Sequence, residues 1–579
     1  MSDQPSIPKR RRHWLGLAIL FLIALAVRTE RAVLTTVVNP DAMRFIAQGK
    51  EFFINPLRAV RQELYHPLQS IAGTLVNNWF MCHMVADGRM SCVYSMQAVG
   101  VLAGALITLE IFFLSRRFGA PVWAAYCVSI IWVFGRKTGA YGADGISDML
   151  FLSLLGLSIL TAMKTGLRCK PWYWFAAGIL SGFSYLTRPE GVAAVLIMLW
   201  ALAIYHGTYV FSESKGVSGN APMPFSKRRG LLPALISGGM LVVGYLIVGL
   251  PYMIAIGGFT RKKKLELMRF PTSSHSALLQ PLLGTGASHH VDMAFIGPSA
   301  FFHPWMWMRI AQEIFETLSP AACLVLLFAV ALAPRIWGRR RWRPTVLGWT
   351  GLWIMVMIWL LNIAGYLHGR HTLVIVLALL PILALGLDRI AHRWRTLLVN
   401  QTCKDKLSKL PAWLRDVRHP DRVGIVLTAA ICIPGLVHLA DAPQRGMRFI
   451  ETGAKWLKAN ANRKAVVAIG IGDDRRALVA YYSGLDYMFS SSPPLSQSRR
   501  QLLLLSNHRP IIVDMVWQGA KAKNIPAAVG SFHLLKLHGH TVKFRAKETL
   551  GANVLVFYVL PHERVLKPNA SLPQLRDAP

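Results

Sequence analysis

The chain has 579 residues, of which 53% are apolar and only 16% charged, with 64 lysines and arginines against 28 acids and a net charge of +36. That apolar content excludes a disordered chain, seven cysteines in so long a chain exclude a small disulfide-stapled domain, and the shortage of charge argues against a soluble nucleic-acid binder. The remaining class is a polytopic membrane protein whose cations sit in loops, because a cation in hydrocarbon costs several kcal/mol and basic loops are retained in the cytoplasm.

Arg10-Arg11-Arg12 precede an apolar run over 14–27. It has the layout of a secretory signal, and Ala24-Leu25-Ala26 offers a small-residue cleavage pattern. The many later runs favour an uncleaved first span that delivers the chain beyond Arg28 to the outside of the cytoplasm. Those runs lie at 93–114, 121–135, 149–163, 172–187, 191–211, 231–257, 318–336, 345–366, 371–387 and 423–440. With about 20 residues needed to cross the hydrocarbon, they predict about eleven spans. Arg116-Arg117, Lys164 to Lys170, Lys227 to Arg229, Arg335 to Arg343 and Arg389 to Arg395 fall at every second connection. That is the positive-inside pattern for a cytoplasmic N-terminus. Arg261-Lys262-Lys263-Lys264 breaks the phase: either the span count is off by one there, or the cluster serves a function such as phosphate binding.

Three stretches are long and outer: 28–91, 258–317 and the tail from 441 to 579. The tail has buried-strand patterns at 464–472, 509–514 and 552–560, with helical stretches at 446–460 and 474–483. The expected fold is thus a polytopic α-helical membrane domain over 1–440, followed by a small extracytoplasmic α/β domain over 441–579.

The first outer stretch opens on Asn39-Pro40-Asp41-Ala42-Met43-Arg44-Phe45. A carboxylate just beyond a span can take a proton from an acceptor hydroxyl; a helix N-cap explains Asp41 as well. Tyr65-His66-Pro67 comes next, a fixed turn with hydrogen-bonding groups or an ordinary turn before a helix. After the third span come Asp144 and Asp148, four apart and so able to share a helix face; a cap accounts for one acid but not for two. After the fifth span, Arg188-Pro189-Glu190-Gly191 sets an arginine and a glutamate at a proline-forced break. Arginine matches phosphate geometry, though a local Arg–Glu pair can also close the hairpin. His368, Arg370 and His371 share a short outer turn and can neutralise a phosphate or snorkel at the interface. Ser288-His289-His290 with Asp292 is a weak metal candidate without a third confirmed ligand. Cys82 and Cys92 can form a disulfide in an oxidising compartment.

In this order, a span, a carboxylate opening the first outer stretch, His66-Pro67-Leu68, acids after the third span and Leu186-Thr187-Arg188-Pro189-Glu190-Gly191 after the fifth resemble the GT-C glycosyltransferases. The nearest branch is that of the dolichyl-phosphate-mannose protein mannosyltransferases and bacterial aminoarabinose transferases. The motifs cover residues 1–210. Beyond them the likeness is one of architecture, with Arg445 to Arg448, Trp456 to Lys458 and Arg475 to Gly484 similar to the tail of bacterial members.

The resemblance implies a GT-C fold and an inverting transfer of a sugar from a polyprenyl-phosphate donor to an acceptor hydroxyl outside the cytoplasm. It maps the first-loop carboxylate onto Asp41 and the second acid onto Asp144 or Asp148. Arg44, Tyr65, His66, Arg188, Glu190, His368, Arg370 and His371 are the substrate-binding candidates. A Pro-Pro pair of the family is His66-Pro67 here, a phosphate-contacting lysine of some members has Tyr65 as its nearest counterpart, and Ala42 replaces a second acid beside the first. That last departure argues against a dicarboxylate metal site. No cofactor is implied, with a divalent metal left open. The implied partners are a polyprenyl-phosphate-linked sugar, an acceptor glycan, lipid or protein, and membrane lipids, with no nucleic acid. The implied place is the bacterial inner membrane, with the active site facing the periplasm. A transporter or flippase of a lipid-linked or anionic substrate is the competing class; it would favour broken helices and midplane charges.

Overall fold

A computed structural model of the chain describes residues 7–35, 37–62, 65–164, 170–214, 231–260, 304–331, 343–364, 369–399, 421–438, 454–455, 458, 466–470, 478, 481–490, 511–517, 540–546 and 553–559. The helices are α1 (Ile7–Leu34), α2 (Pro40–Ile54), α3 (Pro56–Gln62), α4 (Leu68–Val76), α5 (Gly88–Arg117), α6 (Val122–Val133), α7 (Arg136–Ala143), α8 (Asp148–Lys164), α9 (Pro171–Thr187), α10 (Val192–Ser214), α11 (Leu231–Ile256), α12 (Pro304–Leu318), α13 (Pro320–Ala331), α14 (Arg343–Ala364), α15 (Gly369–Val399) and α16 (Asp421–Val437). They divide between two compact units.

The first unit comprises Met1–Ala32, Gln48–Ala72 and Gln97–Ala440. Where the chain is described, the apolar runs of residues 1–440 fall mainly on its helices. Among the described residues four helices, α5, α11, α14 and α15, are long and apolar enough to cross a membrane, and up to six spans result if two bent pairs count as one each. The protein is a polytopic membrane protein. Helices α5 and α15 are buried over 72% and 78% of their most apolar stretches, whereas α11 is buried over only 28%. The first two are central. The outward face of α11, with Leu235, Val243, Ile247 and Ile254 exposed, suits lipid.

Small residues set the packing of α9 on α11. A Cβ on Gly178 would stand 2.1 Å from the Leu241 carbonyl oxygen, and one on Gly244 would stand 2.3 Å from that of Phe175. Gly178 and Gly182 form a small-xxx-small seam, the arrangement that lets two helix backbones touch where lipid supplies no hydrophobic drive. Trp132, Trp174 and Trp349 fill the core between neighbouring helices.

Two chain breaks are sharp. Helices α7 and α8 meet at 111°, and α12 and α13 at 115°. The first turns at Gly145 (φ 69°), where glycine avoids the Cβ clash of a left-handed backbone; the second turns at Ser319 (φ 79°).

The stretches at 28–91 and 258–317 contain helices. Helix α1 continues past Arg28 to Leu34, α5 begins at Gly88, and much of 28–91 is helical. Arg28 and Arg31 ended the apolar run in the sequence, yet both side chains are buried. Arg28 donates to the Thr138 carbonyl at 2.8 Å and Arg31 to that of His438 at 2.6 Å. A hydropathy window cannot foresee carbonyls supplied from more than 100 residues away. Likewise α12 occupies the end of the stretch 258–317.

The second unit comprises Val33–Ala47, Gly73–Met96 and Asp441–Pro579. Its five strands are β1 (Val466–Gly470), β2 (Asp486–Ser490), β3 (Ile511–Trp517), β4 (His540–Ala546) and β5 (Asn553–Val559). They form one sheet in the order β2-β1-β3-β5-β4. β1 runs parallel to β2 and β3, with Val466 opposite Asp486 and Ile511; β5 runs antiparallel to β3 and β4. The three apolar runs of the tail are the three inner strands. The two edges were illegible because an edge strand needs no continuous apolar run, and β4 alternates Lys543 and Arg545 with Val542 and Phe544. The helical stretches at 446–460 and 474–483 lie largely outside the described residues. Cys82 and Cys92 are free thiols, not a disulfide: Cys82 is exposed and directs its Sγ to the Asn78 carbonyl at 3.3 Å, while Cys92 is buried.

Candidate functional site

In the second unit, α2 starts with its own cap. The Asn39 side-chain oxygen accepts the Asp41 N–H at 3.0 Å, and its carbonyl accepts the Ala42 N–H at 2.9 Å. Pro40 occupies the first helical position, where its missing N–H costs nothing. The cap is therefore Asn39, and Asp41 lies in the first turn, half-buried, where the helix dipole favours a negative charge. Capping does not account for Asp41. Arg44 comes one turn on and is also half-buried.

In the first unit, the candidates gather at the break between α7 and α8. Asp144 caps the C-terminal end of α7 and is 4% exposed; Asp148 opens α8 and is 2% exposed. Asp148 is engaged by Arg188 through a short, buried contact between Oδ1 and Nη1. Glu190 approaches the same guanidinium at 3.6 Å on Nε, and the Phe151 ring lies 5.8 Å beneath it. The Arg–Glu hairpin pair is thus present, but Asp148 makes the tighter contact.

Local chemistry explains why Arg188 stands there. Pro189 forbids a helical conformation at the residue before it, and Arg188 is extended (φ −153°, ψ 143°) at the end of α9. A short 3-10 turn, Pro189–Gly191, then reverses the chain. Any Cβ at residue 191 would lie 2.2 Å from the Tyr185 nitrogen, so only glycine passes.

His66 is held on the same helix end. Its Nδ1 lies 2.6 Å from the Tyr185 carbonyl oxygen, which places the proton on Nδ1, and its Nε2 lies 3.4 Å from the Thr260 hydroxyl. The imidazole packs against Tyr185 and Tyr252, with ring centroids 5.0 and 4.8 Å away. The preceding Tyr65 is half-buried, and its carbonyl accepts from Gln48 at 2.8 Å, a side chain that Ser70 fixes at 2.6 Å. Arg370 and His371 open α15 and are half-buried; the His371 carbonyl accepts from Trp353 at 2.7 Å. His368 lies outside the described residues, as do Arg261 to Lys264 and Ser288 to Asp292. Among the described residues, no three histidine, cysteine, aspartate or glutamate side chains are grouped to hold a metal.

Two further residues belong to this cluster. Tyr141 lies on α7 three residues before Asp144 and is half-buried. One turn earlier on α7, Lys137 bonds to both Glu313 and Glu316 of α12 at 2.9 Å each. Lys137, Tyr141 and Asp144 are spaced to share one helix face. That spacing was visible in the sequence; the acidic partner on α12, 176 residues away, was not.

No protein-family model and no curated protein matches the sequence. Among solved structures, ArnT from Cupriavidus metallidurans in the apo state is similar over 94% of this chain and 98% of that one, at 13% identity and a TM-score of 0.52. The chain has a GT-C fold. The Archaeoglobus fulgidus oligosaccharyltransferase in the apo form is also similar, over 96% of this chain and 75% of that one, at 11% identity and a TM-score of 0.47. At such identities the likeness is one of fold. The GT-C fold agrees with the order of motifs along residues 1–210.

Proposed function

We propose that this chain is an inverting glycosyltransferase that moves a sugar from a polyprenyl-phosphate donor to an acceptor hydroxyl on the outer face of a bacterial inner membrane. The observation that carries the reading is the set of charges at the α7–α8 break, with Asp144 and Asp148 buried and Arg188 held between Asp148 and the half-buried Glu190, in a GT-C fold. Burying so many ionisable groups at a helix break in a membrane protein is costly, and such groups mark function by default.

In this mechanism Asp41 accepts the proton of the acceptor hydroxyl as its oxygen attacks the anomeric carbon opposite the phosphate. The bond from carbon to phosphate oxygen breaks, polyprenyl phosphate leaves with the electron pair, and the configuration inverts. In this reading, charge growing on the phosphate is met by preorganised cationic side chains. Arg370 and His371 fill that role at the start of α15, where the helix dipole adds positive potential, and His368, nearby in the sequence, is assigned to the same role. Arg188, shared by two carboxylates, orients the site more than it neutralises. Asp144 or Asp148 serves as the second acid, and Asp148 also holds Arg188. Tyr65, His66 and Arg44 belong to the substrate-binding set. The tail, 441–579, is assigned as an outer soluble domain beyond the membrane part, 1–440, and the acceptor is a glycan, lipid or protein.

The test is transfer of radiolabelled sugar from a polyprenyl-phosphate donor pool in membranes carrying wild type or Asp41→Asn. Transfer by the wild type and its loss in the variant, at equal folded amount, support the reading. Transfer unchanged in the variant removes Asp41 as the base. The two sharply bent helix pairs are a feature that a transporter would share. Movement of the lipid-linked sugar across the bilayer without transfer to any acceptor would favour that class instead.

A further inference from the structure

Within the second unit, the approach to Asp41 is tied to the distant tail. Val38 is fully buried, and its backbone N–H, which must find a partner away from water, donates to the Tyr482 hydroxyl at 3.1 Å across 444 residues of chain. The next residue, Asn39, caps α2, and Asp41 lies in the first turn. Nothing between Val38 and Asp41 is slack. Val37 and Val38 are both buried, Pro40 has a fixed φ, and the Asn39 carbonyl is taken by Ala42.

Tyr482 is itself clamped. The adjacent Tyr481 donates its hydroxyl to the Arg89 carbonyl at 2.7 Å, and the Arg89 guanidinium returns bonds to the carbonyls of Tyr481 at 3.3 Å and Leu485 at 3.0 Å. Asp87 accepts the backbone N–H groups of Arg89 and Met90 at 2.9 and 3.3 Å and meets Lys458 of the tail at 3.5 Å. The helical turn at 481–483 therefore joins the start of α5 to the entry of α2.

We propose that Tyr482 is a positioning residue for sugar transfer: its hydroxyl, held by the Tyr481–Arg89 clamp, fixes the start of α2 and so the place of the Asp41 carboxylate. The role in transfer rests on the glycosyltransferase reading. The tail then takes part in the reaction by setting where the base stands. A base that acts only in the transition state lowers kcat when it is displaced and leaves donor binding alone, and small displacements of a reacting group are expensive.

The test uses full-length Tyr482→Phe, which removes one oxygen and keeps the ring, in detergent or nanodiscs. Hydrogen exchange over 37–46 should quicken, and kcat should fall about ten-fold with donor KM unchanged. Exchange unchanged over 37–46 overturns the proposal. Faster exchange with wild-type kcat overturns it too, since Tyr482 would then be structural only. A rise in donor KM at constant kcat would place Tyr482 in binding and equally overturn it. If the wild type transfers no sugar from any polyprenyl-phosphate donor, the glycosyltransferase reading fails and the role in transfer with it, while the exchange result still decides whether Tyr482 anchors α2. Should Tyr482→Phe fail to fold, Tyr481→Phe, which loosens the clamp one bond further away, gives a milder version of the same two readouts.

Discussion

Arg188 and Asp148 form a buried ion pair between the end of α9 and the start of α8, separated by 40 residues of chain. Their side chains are 10% and 3% exposed, so neither charge has water to fall back on. Removing one partner of such a pair leaves an uncompensated buried charge and costs about 3–5 kcal/mol. Asp148→Asn is expected to lower thermal stability by that order, less whatever Glu190 recovers from its 3.6 Å approach. Replacing both, as Asp148→Asn with Arg188→Met, is expected to restore stability but not transfer. Thermal unfolding in detergent, run beside the transfer assay, checks both halves.

Asn39 and Asp41 separate capping from chemistry. Asn39→Ala is expected to cost about 1 kcal/mol of stability, the usual worth of an N-cap, and to reduce transfer only through that loss. Asp41→Asn keeps the cap and the shape, so it is expected to leave the melting temperature within a degree or two and to abolish transfer. A large stability loss in Asp41→Asn would contradict the assignment of the cap to Asn39.

Lys137 bridges α7 to two glutamates that differ in exposure, Glu313 at 6% and Glu316 at 45%. Glu316→Gln should be neutral within about 0.5 kcal/mol, because exposed pairs contribute little. Lys137→Met should cost about 1–2 kcal/mol, since the buried Glu313 then loses one of its cations and keeps Arg309 at 2.9 Å. Unfolding of the two single variants and their double variant measures the difference.

Asp87 supplies a pH dependence. Burial works against its charge, but the backbone N–H groups of Arg89 and Met90 and the Lys458 ammonium outweigh it and hold the carboxyl below the usual range. A depressed folded-state value means stability that is present above the ordinary carboxylate value of about 4 and is lost as pH falls through the folded value. The gap in melting temperature between wild type and Asp87→Asn should therefore narrow from pH 6 to pH 3. With the Asp87 side chain 46% exposed, the effect should stay under about 1 kcal/mol.

Local pattern alone located the apolar helices and the three inner strands, because hydropathy and periodicity are properties of neighbouring residues. It found the Arg188-Pro189-Glu190-Gly191 break for the same reason: proline and glycine act on the residues beside them. It stopped the first helix too early at Arg28, since burial of that arginine depends on a carbonyl of α7. It showed Asp144 and Asp148 as two acids at a helix edge, and could not show that Arg188 arrives from another helix to meet Asp148. It could not show that Lys137 meets Glu313, and it read Tyr482 as part of a tail and nothing more. The sequence by itself determined the membrane class, the order of motifs and the chemical types at the site. The tertiary structure decided which charge meets which and which tyrosine receives the Val38 N–H, because those pairings join residues that share no local pattern and meet only when the helices pack.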